Sequence, residues 1–329
     1  MGKRHIQKNQ IIFDIQEFIQ KENDFLITTH VNPDGDSLAS VLAFAFLLDH
    51  FKKDCCILLN DVIPQKFDFL PGIHQIIQLN KQKFDRRFKN VIVLDSSDLE
   101  RIGAVQDILI PETTIINIDH HPSNRQYGQL NFIDQQESST AEIVYSIFSL
   151  LDIPITPNVA TLFYTGILCD TGRFLFPNTT HRSLLICAEM AQKGALPAYI
   201  AEQIYCKTSP ETIRALSSAL STIEFHFGGS VSSIYLANGV FTTHEEIDTE
   251  GFVDYLLAID GTEVEFFMIE FEPGIFRVSF RSKNNVDVNK VAEKFGGGGH
   301  TRASGCIIQG TISEVKKKIL DVLETVIIK

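Results

Sequence analysis

Hydrophobic residues in the first half of the chain fall into short β-rich runs separated by longer stretches with helical spacing. This is the pattern of a parallel sheet with crossover helices, an α/β fold. Strands are predicted at Phe25–Thr29, Cys55–Leu59, Val91–Leu94 and Thr114–Ile118. Helices are predicted at Ile11–Lys21, Ser37–Phe51, Thr140–Leu151, Asn158–Leu168 and Ser183–Gln192. After Gly194 the spacing gives short helices, Leu196–Tyr205 and Pro210–Ser221. A second α/β block follows, with strands at Val231–Leu236, Val264–Phe271 and Ile275–Arg281 and helices at Glu245–Ala258, Val288–Phe295 and Ile312–Val326. The expected organisation is a parallel-sheet domain over 1–195, a helical connector over 196–222 and a smaller α/β domain with a mixed sheet over 223–329.

Composition supports a packed two-domain chain. At 329 residues it exceeds what one core usually organises, and 44% hydrophobic with 21% charged residues lies far from the signature of disorder. The N-terminus lacks an apolar stretch long enough for a secretory signal, and the most apolar run, Ser37–Leu48, is too short to span a bilayer. A cytoplasmic protein with no membrane partner is expected. The six cysteines show no CxxC pair or regular spacing, which argues against a zinc knuckle or a disulfide framework. A net charge of −12 has the wrong sign for gripping a long duplex nucleic acid. An anionic substrate would need locally placed cations, which points to small substrates.

Three of the first four strands run into charged residues. The first leads to His30, Asp34 and Asp36, the third to Asp95, and the fourth to Asp119, His120 and His121. In a parallel α/β sheet, ligand sites lie outside the carboxyl ends of the strands, so these residues are expected to converge. Asp170 adds a carboxylate after the apolar run Leu162–Leu168. Carboxylates crowded into one cleft raise one another's pKa unless cations neutralise them. Oxygen and imidazole donors without thiolate suit Mn²⁺ or Mg²⁺, and the histidines favour Mn²⁺. With Asp34, Asp36, Asp95 and Asp170 as ligands, two divalent cations would make the site neutral. Each piece alone has a plainer reading: Asp36 could cap the helix starting at Ser37, Asp95 could be a turn residue, and the two histidines could form a structural cluster beside Asp119.

The ordered segments THVNPDGDS, VLDSSD, IDHHPSN and CDTGRF resemble the four motifs of the DHH phosphoesterase superfamily. The C-terminal FRSKNNVDVNKVAEKFGGGGHTRASG resembles the DHHA1 substrate-binding domain with its glycine-rich GGGH loop. The resemblance implies a DHH catalytic metal-binding domain and two cations. His30, Asp34 and Asp95 would hold one, and Asp36, Asp95, His120 and Asp170 the other, with Asp95 bridging. It also implies that Asp119 orients a ligand and that His121 faces the reacting phosphate. Within the superfamily, the compact two-domain layout is most similar to the bifunctional oligoribonuclease and pAp phosphatase group, the nanoRNases. These act on very short RNAs, linear dinucleotides such as pApA, and in some cases 3′-phosphoadenosine 5′-phosphate.

Glycines 296–299 lack a Cβ, so backbone N–H groups could approach a phosphate closely. Gly297, Gly298 and Gly299 are therefore candidate substrate contacts, together with His300, Arg302 and Arg281. The same run could instead be a helix C-cap after Phe295. Asn124, Arg125 and Arg173 follow the motifs closely enough to touch substrate, or could be surface loop residues. Metal-assisted phosphoryl hydrolysis of short single-stranded oligonucleotides or nucleotides is the expected chemistry, and a homodimer is compatible with it. A pyrophosphate or polyphosphate hydrolase and a catalytically silent nucleotide-binding module are the alternatives.

Overall fold

The structure, a computed structural model, describes residues 2–79, 84–238, 249 and 251–327. The chain divides into two compact units, Met1–Lys207 and Thr208–Lys329. The division falls inside the stretch 196–222 expected as a connector, between its two helices.

In the first unit, strands β1 (Phe25–Thr28), β2 (Cys55–Leu59), β3 (Ile76–Gln78), β4 (Phe88–Leu94), β5 (Leu109–Asp119) and β6 (Leu130–Ile133) form one sheet. Its order is β3-β2-β1-β4-β5-β6, and every neighbouring pair is parallel. The helices are α1 (Gly2–Lys21), α2 (Gly35–His50), α3 (Thr140–Leu150), α4 (Pro157–Asp170), α5 (His181–Gln192) and α6 (Pro197–Tyr205). β1, FLIT, is buried along its whole length, as a strand covered on both faces must be. Phe25 and Ile27 join the core under the helices, whereas Leu26 joins Val91, Val93, Ile102 and Val105 on the opposite face. That second face is covered by a 3₁₀ segment, Leu99–Ile108, kinked at Gly103 with φ +61°. α2 is apolar on all sides and buried continuously from Gly35 to Ala45, packed among the sheet, α3 and α4.

The chain leaves β1 through α2 toward β2 on one side, while β4 pairs with β1 on the other. The crevice at their carboxyl ends is therefore the topological switch point of the sheet, where ligands of open α/β folds bind. Burying each large side chain such as Phe25, Phe44, Phe148 or Phe163 contributes about 1.5–3 kcal/mol. A core of this size tolerates an acidic crevice above it.

The second unit contains α7 (Pro210–Leu220), β7 (Glu224–His226), β8 (Val231–Leu236), β9 (Val264–Glu272), β10 (Ile275–Ser282), α8 (Val288–Glu293), β11 (Gly298–Gly299), β12 (Ala303–Gln309) and α9 (Ile312–Ile327). The sheet is mixed, in the order β11-β12-β10-β9-β8-β7, with β8 and β9 parallel and the other pairs antiparallel. Along β9, Val264, Phe266 and Met268 face a core shared with α8 and α9, and Phe267 and Ile269 face one shared with α7. α9 buries Val315, Ile319 and Leu323, one residue per turn on one face.

The predicted strands and helices are present with ends moved by a few residues, except that α1 starts at Gly2 rather than Ile11, β5 at Leu109 rather than Thr114, and Glu245–Ala258 differs. Of that stretch, Val253–Ala258 is a 3₁₀ helix, and residues 245–248 and 250 lie outside the described residues. Strands β3, β6, β7, β11 and β12 went unpredicted. The first four have two to four residues each, too short to show a period, and β12 opens on the small residues Ala303, Ser304 and Gly305. Among the described residues, no helix is long and apolar enough to cross a membrane.

Candidate metal centre

His30 follows β1 and is buried. Its Nδ1 lies 2.7 Å from the carbonyl oxygen of Val31, which makes Nδ1 the donor and turns Nε2 toward the acids. Nε2 is 3.5 Å from Asp95 Oδ2 and 3.9 Å from Asp34 Oδ2. Asp34, not Asp36, caps α2. Its Oδ1 accepts from Ser37 N at 2.9 Å, and Ser37 Oγ accepts from Asp34 N at 2.9 Å.

Asp36 sits in the first turn of α2 and is almost wholly buried. Its two oxygens accept from the N-terminus of α3, Oδ2 from Thr140 N at 2.7 Å and Oδ1 from Ala141 N at 2.9 Å. α4 comes close because residue 166 is glycine. A Cβ there would stand 2.7 Å from Asp36 Oδ1 and 2.5 Å from Ala141 Cβ.

Asp95 follows β4 in the left-handed region, φ +56°, which Asp tolerates better than most residues. Its Oδ1 accepts from Thr140 Oγ1 at 2.9 Å and is 3.7 Å from His120 Nε2. His120 Nε2 is also 3.2 Å from Asp170 Oδ2, at the C-terminus of α4. Asp170 Oδ2 is buried and accepts no hydrogen bond among the described residues.

Within the first unit ligand atoms gather in three trios, His30–Asp34–Asp95, Asp36–His120–Asp170 and Asp95–Asp119–His121, and in the last of these Asp119 is hydrogen-bonded to the His121 ring. The two oxygens of Asp95 point one to each of the first two, Oδ2 to His30 and Oδ1 to His120.

Asp119 is placed differently. Oδ1 accepts from His120 N at 2.8 Å, from His121 N at 3.2 Å and from His121 Nδ1 at 2.7 Å, while Oδ2 accepts from Asn124 Nδ2 at 2.6 Å. The oxygens of Asp119 are thus occupied by the His121 ring, the backbone of both histidines and Asn124. Asn124 is a neighbour of Asp119 and is itself braced by Asn117 at 2.9 Å and Ser96 O at 3.1 Å.

The electrostatics follow from this crowding. Burial, and then the charge of Asp95, push the carboxyls of Asp36 and Asp170 well above the usual carboxylate range. Burial opposes the charge on Asp95 too, but His30 and His121 outweigh it and hold its pKa below that range. Burial works against a charged His30, yet Asp95 and Asp34 raise its pKa; for His121, Asp119 does the same. A divalent cation at Asp36, His120 and Asp170 would replace the protons on the two carboxyls and bind Asp170 Oδ2, which accepts no hydrogen bond among the described residues, so the donor set fits hard, oxygen- and imidazole-binding metals.

The remaining candidates lie elsewhere. The Arg173 guanidinium stacks on the Tyr205 ring at 4.1 Å, and Arg125 pairs with Asp98 at 2.6 Å. In the second unit, Arg281 Nε donates to Asp254 Oδ1 at 2.9 Å. Arg302 donates to the backbone oxygens of Val286, at 2.8 Å, and Asn284. Gly296, φ +74°, ends α8, and Gly297 N closes onto Ala292 O at 3.0 Å. Gly297 and Gly299 then run against β12 so closely that a Cβ would lie 2.1 Å from Gly305 O and 2.5 Å from Ala303 O respectively. Gly298 pairs with Gly305, and His300 N donates to Ala303 O at 2.7 Å in the turn that follows. The glycine run thus ends a helix and forms a tight hairpin.

Sequence reasoning missed Thr140 and Gly166. SSTAE, residues 138–142, reads as a helix start, and that was the available signal; which carboxylates that start would meet was not in it.

A parallel α/β sheet with paired acid and imidazole clusters at its switch point is the frame of a metal-dependent phosphoesterase. Residues 24–167 match the DHH family, N-terminal domain, and residues 236–329 match the DHHA1 domain. The bifunctional oligoribonuclease and PAP phosphatase NrnA of Thermus thermophilus is 30% identical over 97% of this chain and 94% of its own length. The protein of the same name from Bacillus subtilis is 28% identical over 86% of this chain and 88% of its own. An exopolyphosphatase-related protein from Bacteroides fragilis superposes with a TM-score of 0.88, at 26% identity and 96% coverage of both chains. The chain belongs to the DHH/DHHA1 phosphoesterases.

Proposed function

We propose that this enzyme hydrolyses short oligoribonucleotides or linear dinucleotides such as pApA to 5′-mononucleotides, removes the 3′-phosphate of 3′-phosphoadenosine 5′-phosphate, and uses two divalent cations, Mn²⁺ in preference to Mg²⁺. The observation that carries it is Asp95, whose two carboxylate oxygens face separate His/Asp trios. Its nucleotide substrates follow from the relatives named NrnA, oligoribonucleases and PAP phosphatases.

His30, Asp34 and Asp95 would hold one cation, and Asp36, Asp95, His120 and Asp170 the other. When bound, such a pair activates water and neutralises charge at phosphorus. Asp119 fixes the His121 ring through Nδ1 and favours its protonated form, so that His121 donates a hydrogen bond to a phosphoryl oxygen or proton to the leaving group. We assign substrate recognition to Gly297, Gly298, Gly299, His300, Arg302 and Arg281 in the C-terminal unit, with Asn124 and Arg173 in the first. Arg281 would exchange Asp254 for a phosphate.

The likeness to an exopolyphosphatase-related protein favours a second reading, phosphoanhydride hydrolysis. Product analysis on pApA, 3′-phosphoadenosine 5′-phosphate, a five-nucleotide RNA, pyrophosphate and polyphosphate, with and without Mn²⁺, separates the two. AMP from pApA supports our reading. Orthophosphate from pyrophosphate or polyphosphate, with pApA left intact, supports the other.

A further inference from the structure

The N-terminus of α3 makes three contacts to the acidic cluster, and all three fall on one of its halves. Thr140 N and Ala141 N donate to the two oxygens of Asp36 at 2.7 and 2.9 Å. The hydroxyl of Thr140 donates to Asp95 Oδ1 at 2.9 Å. Asp36 belongs to the trio with His120 and Asp170, and Oδ1 is the Asp95 oxygen that faces His120. The oxygen that faces His30, Oδ2, is not the one Thr140 engages.

The loop before α3 is tied through Asn178 to the backbone of Asp170 as well. Asn178 Nδ2 bridges Ser138 O at 2.9 Å and Asp170 O at 3.0 Å. Ser138 is pinned in turn, its N and Oγ donating to Glu142 Oε2 at 2.9 and 2.7 Å. In the His30 trio, the imidazole is held by Val31 O and Asp34 by Ser37, while Asp95 is the ligand that both proposed cation sites share.

We propose that Thr140 is a positioning residue that acts unequally on the two cation sites, more on the one formed by Asp36, Asp95, His120 and Asp170, because the Asp95 oxygen it holds is the one that faces His120. The proposal rests on the two-cation reading above. A carboxylate with fixed donors on its oxygens keeps its remaining lone pairs aimed, and turning it away breaks charge-assisted hydrogen bonds. Loss of such a support to a metal ligand typically lowers affinity about 10–100-fold.

The test is Mn²⁺ uptake by the metal-stripped full-length chain, followed by calorimetry and by the electron paramagnetic resonance of free Mn²⁺. Thr140→Val keeps both backbone donors and removes the hydroxyl. Wild type is expected to bind two Mn²⁺, Thr140→Val to bind the one at Asp36, His120 and Asp170 about 10–100-fold more weakly and the other with a smaller loss, and Thr140→Ser to recover both. Thr140→Ala gives the same unequal loss and serves if the valine variant does not fold, as judged by circular dichroism. In a His30→Ala background, where only the Thr140-supported site remains, adding Thr140→Val weakens that single uptake by the same factor. Unchanged affinities in the valine and alanine variants, or equal weakening of both sites, overturn the assignment. A wild-type chain that takes up fewer than two Mn²⁺ overturns the two-cation reading itself.

Discussion

Gly166 on α4 lies so close to Asp36 on α2 that a Cβ at position 166 would stand 2.7 Å from the Asp36 carboxylate. Alanine is the better helix former by about 1 kcal/mol. Here that advantage is outweighed, because the added methyl also meets Ala141 Cβ at 2.5 Å and overpacking typically costs about 1–3 kcal/mol. Gly166→Ala is expected to lower the Tm of the metal-free protein and to weaken Mn²⁺ binding. Thermal melts with and without Mn²⁺ check both, and a variant more stable than wild type would refute the steric argument.

Asp95→Asn should leave the fold intact, since Asn also accepts the left-handed backbone found at this position. The amide supplies one oxygen where the carboxylate supplied two, so one side of the site loses a ligand. Turnover is expected to fall at least about 100-fold, with the far-ultraviolet circular dichroism unchanged. Near-normal kcat at full metal loading would show that Asp95 is not shared.

Asp119→Asn should act through His121. The Asp119 charge is what raises the His121 pKa against burial, so its loss lowers that pKa and leaves less imidazolium at a given pH. If His121 is the donor, the alkaline limb of the kcat profile moves to lower pH, and kcat at neutral pH drops about 10²–10⁴-fold. An unmoved alkaline limb would remove His121 from that role.

Metal uptake should release protons. Asp36, Asp170 and His30 all have raised pKa values in the metal-free protein, so each holds its proton to higher pH than usual and must give it up to bind a cation. Mn²⁺ affinity is therefore expected to rise with pH. Calorimetry in buffers of different ionisation enthalpy reads the protons released, and a zero count under mildly acidic conditions would contradict the charge balance.

Arg302→Ala should cost stability as well as substrate affinity. Its guanidinium donates to the carbonyls of Val286 and Asn284, and a typical intramolecular hydrogen bond contributes about 0.5–1.5 kcal/mol. His300→Ala should raise KM. Urea melts beside KM measurements check both effects of Arg302→Ala, and an Arg302→Ala variant as stable as wild type would count against the loop-closing role of Arg302.

The periodicity of FLIT, CCILL and VIVL was enough to read a parallel sheet, because strands buried on both faces are apolar without interruption. Acids and imidazoles at the ends of those strands carried the metal chemistry for the same reason: in such a sheet the strand ends share one crevice. The start of α3 at Thr140 was also legible, since the helical spacing over Thr140–Leu151 is a local signal.

What only the tertiary structure decided was which groups meet across long stretches of chain. Thr140 reaches Asp95 over 45 residues and Ala141 reaches Asp36 over 105. Asp34 proved to be the cap of α2, leaving Asp36 to the N-terminus of α3. The glycine run, readable as a phosphate loop, also proved to be the closest approach between β11 and β12. Local sequence sets dihedral preferences and burial patterns, whereas the direction of a carboxylate's lone pairs is set by donors that the packing of distant helices brings to it.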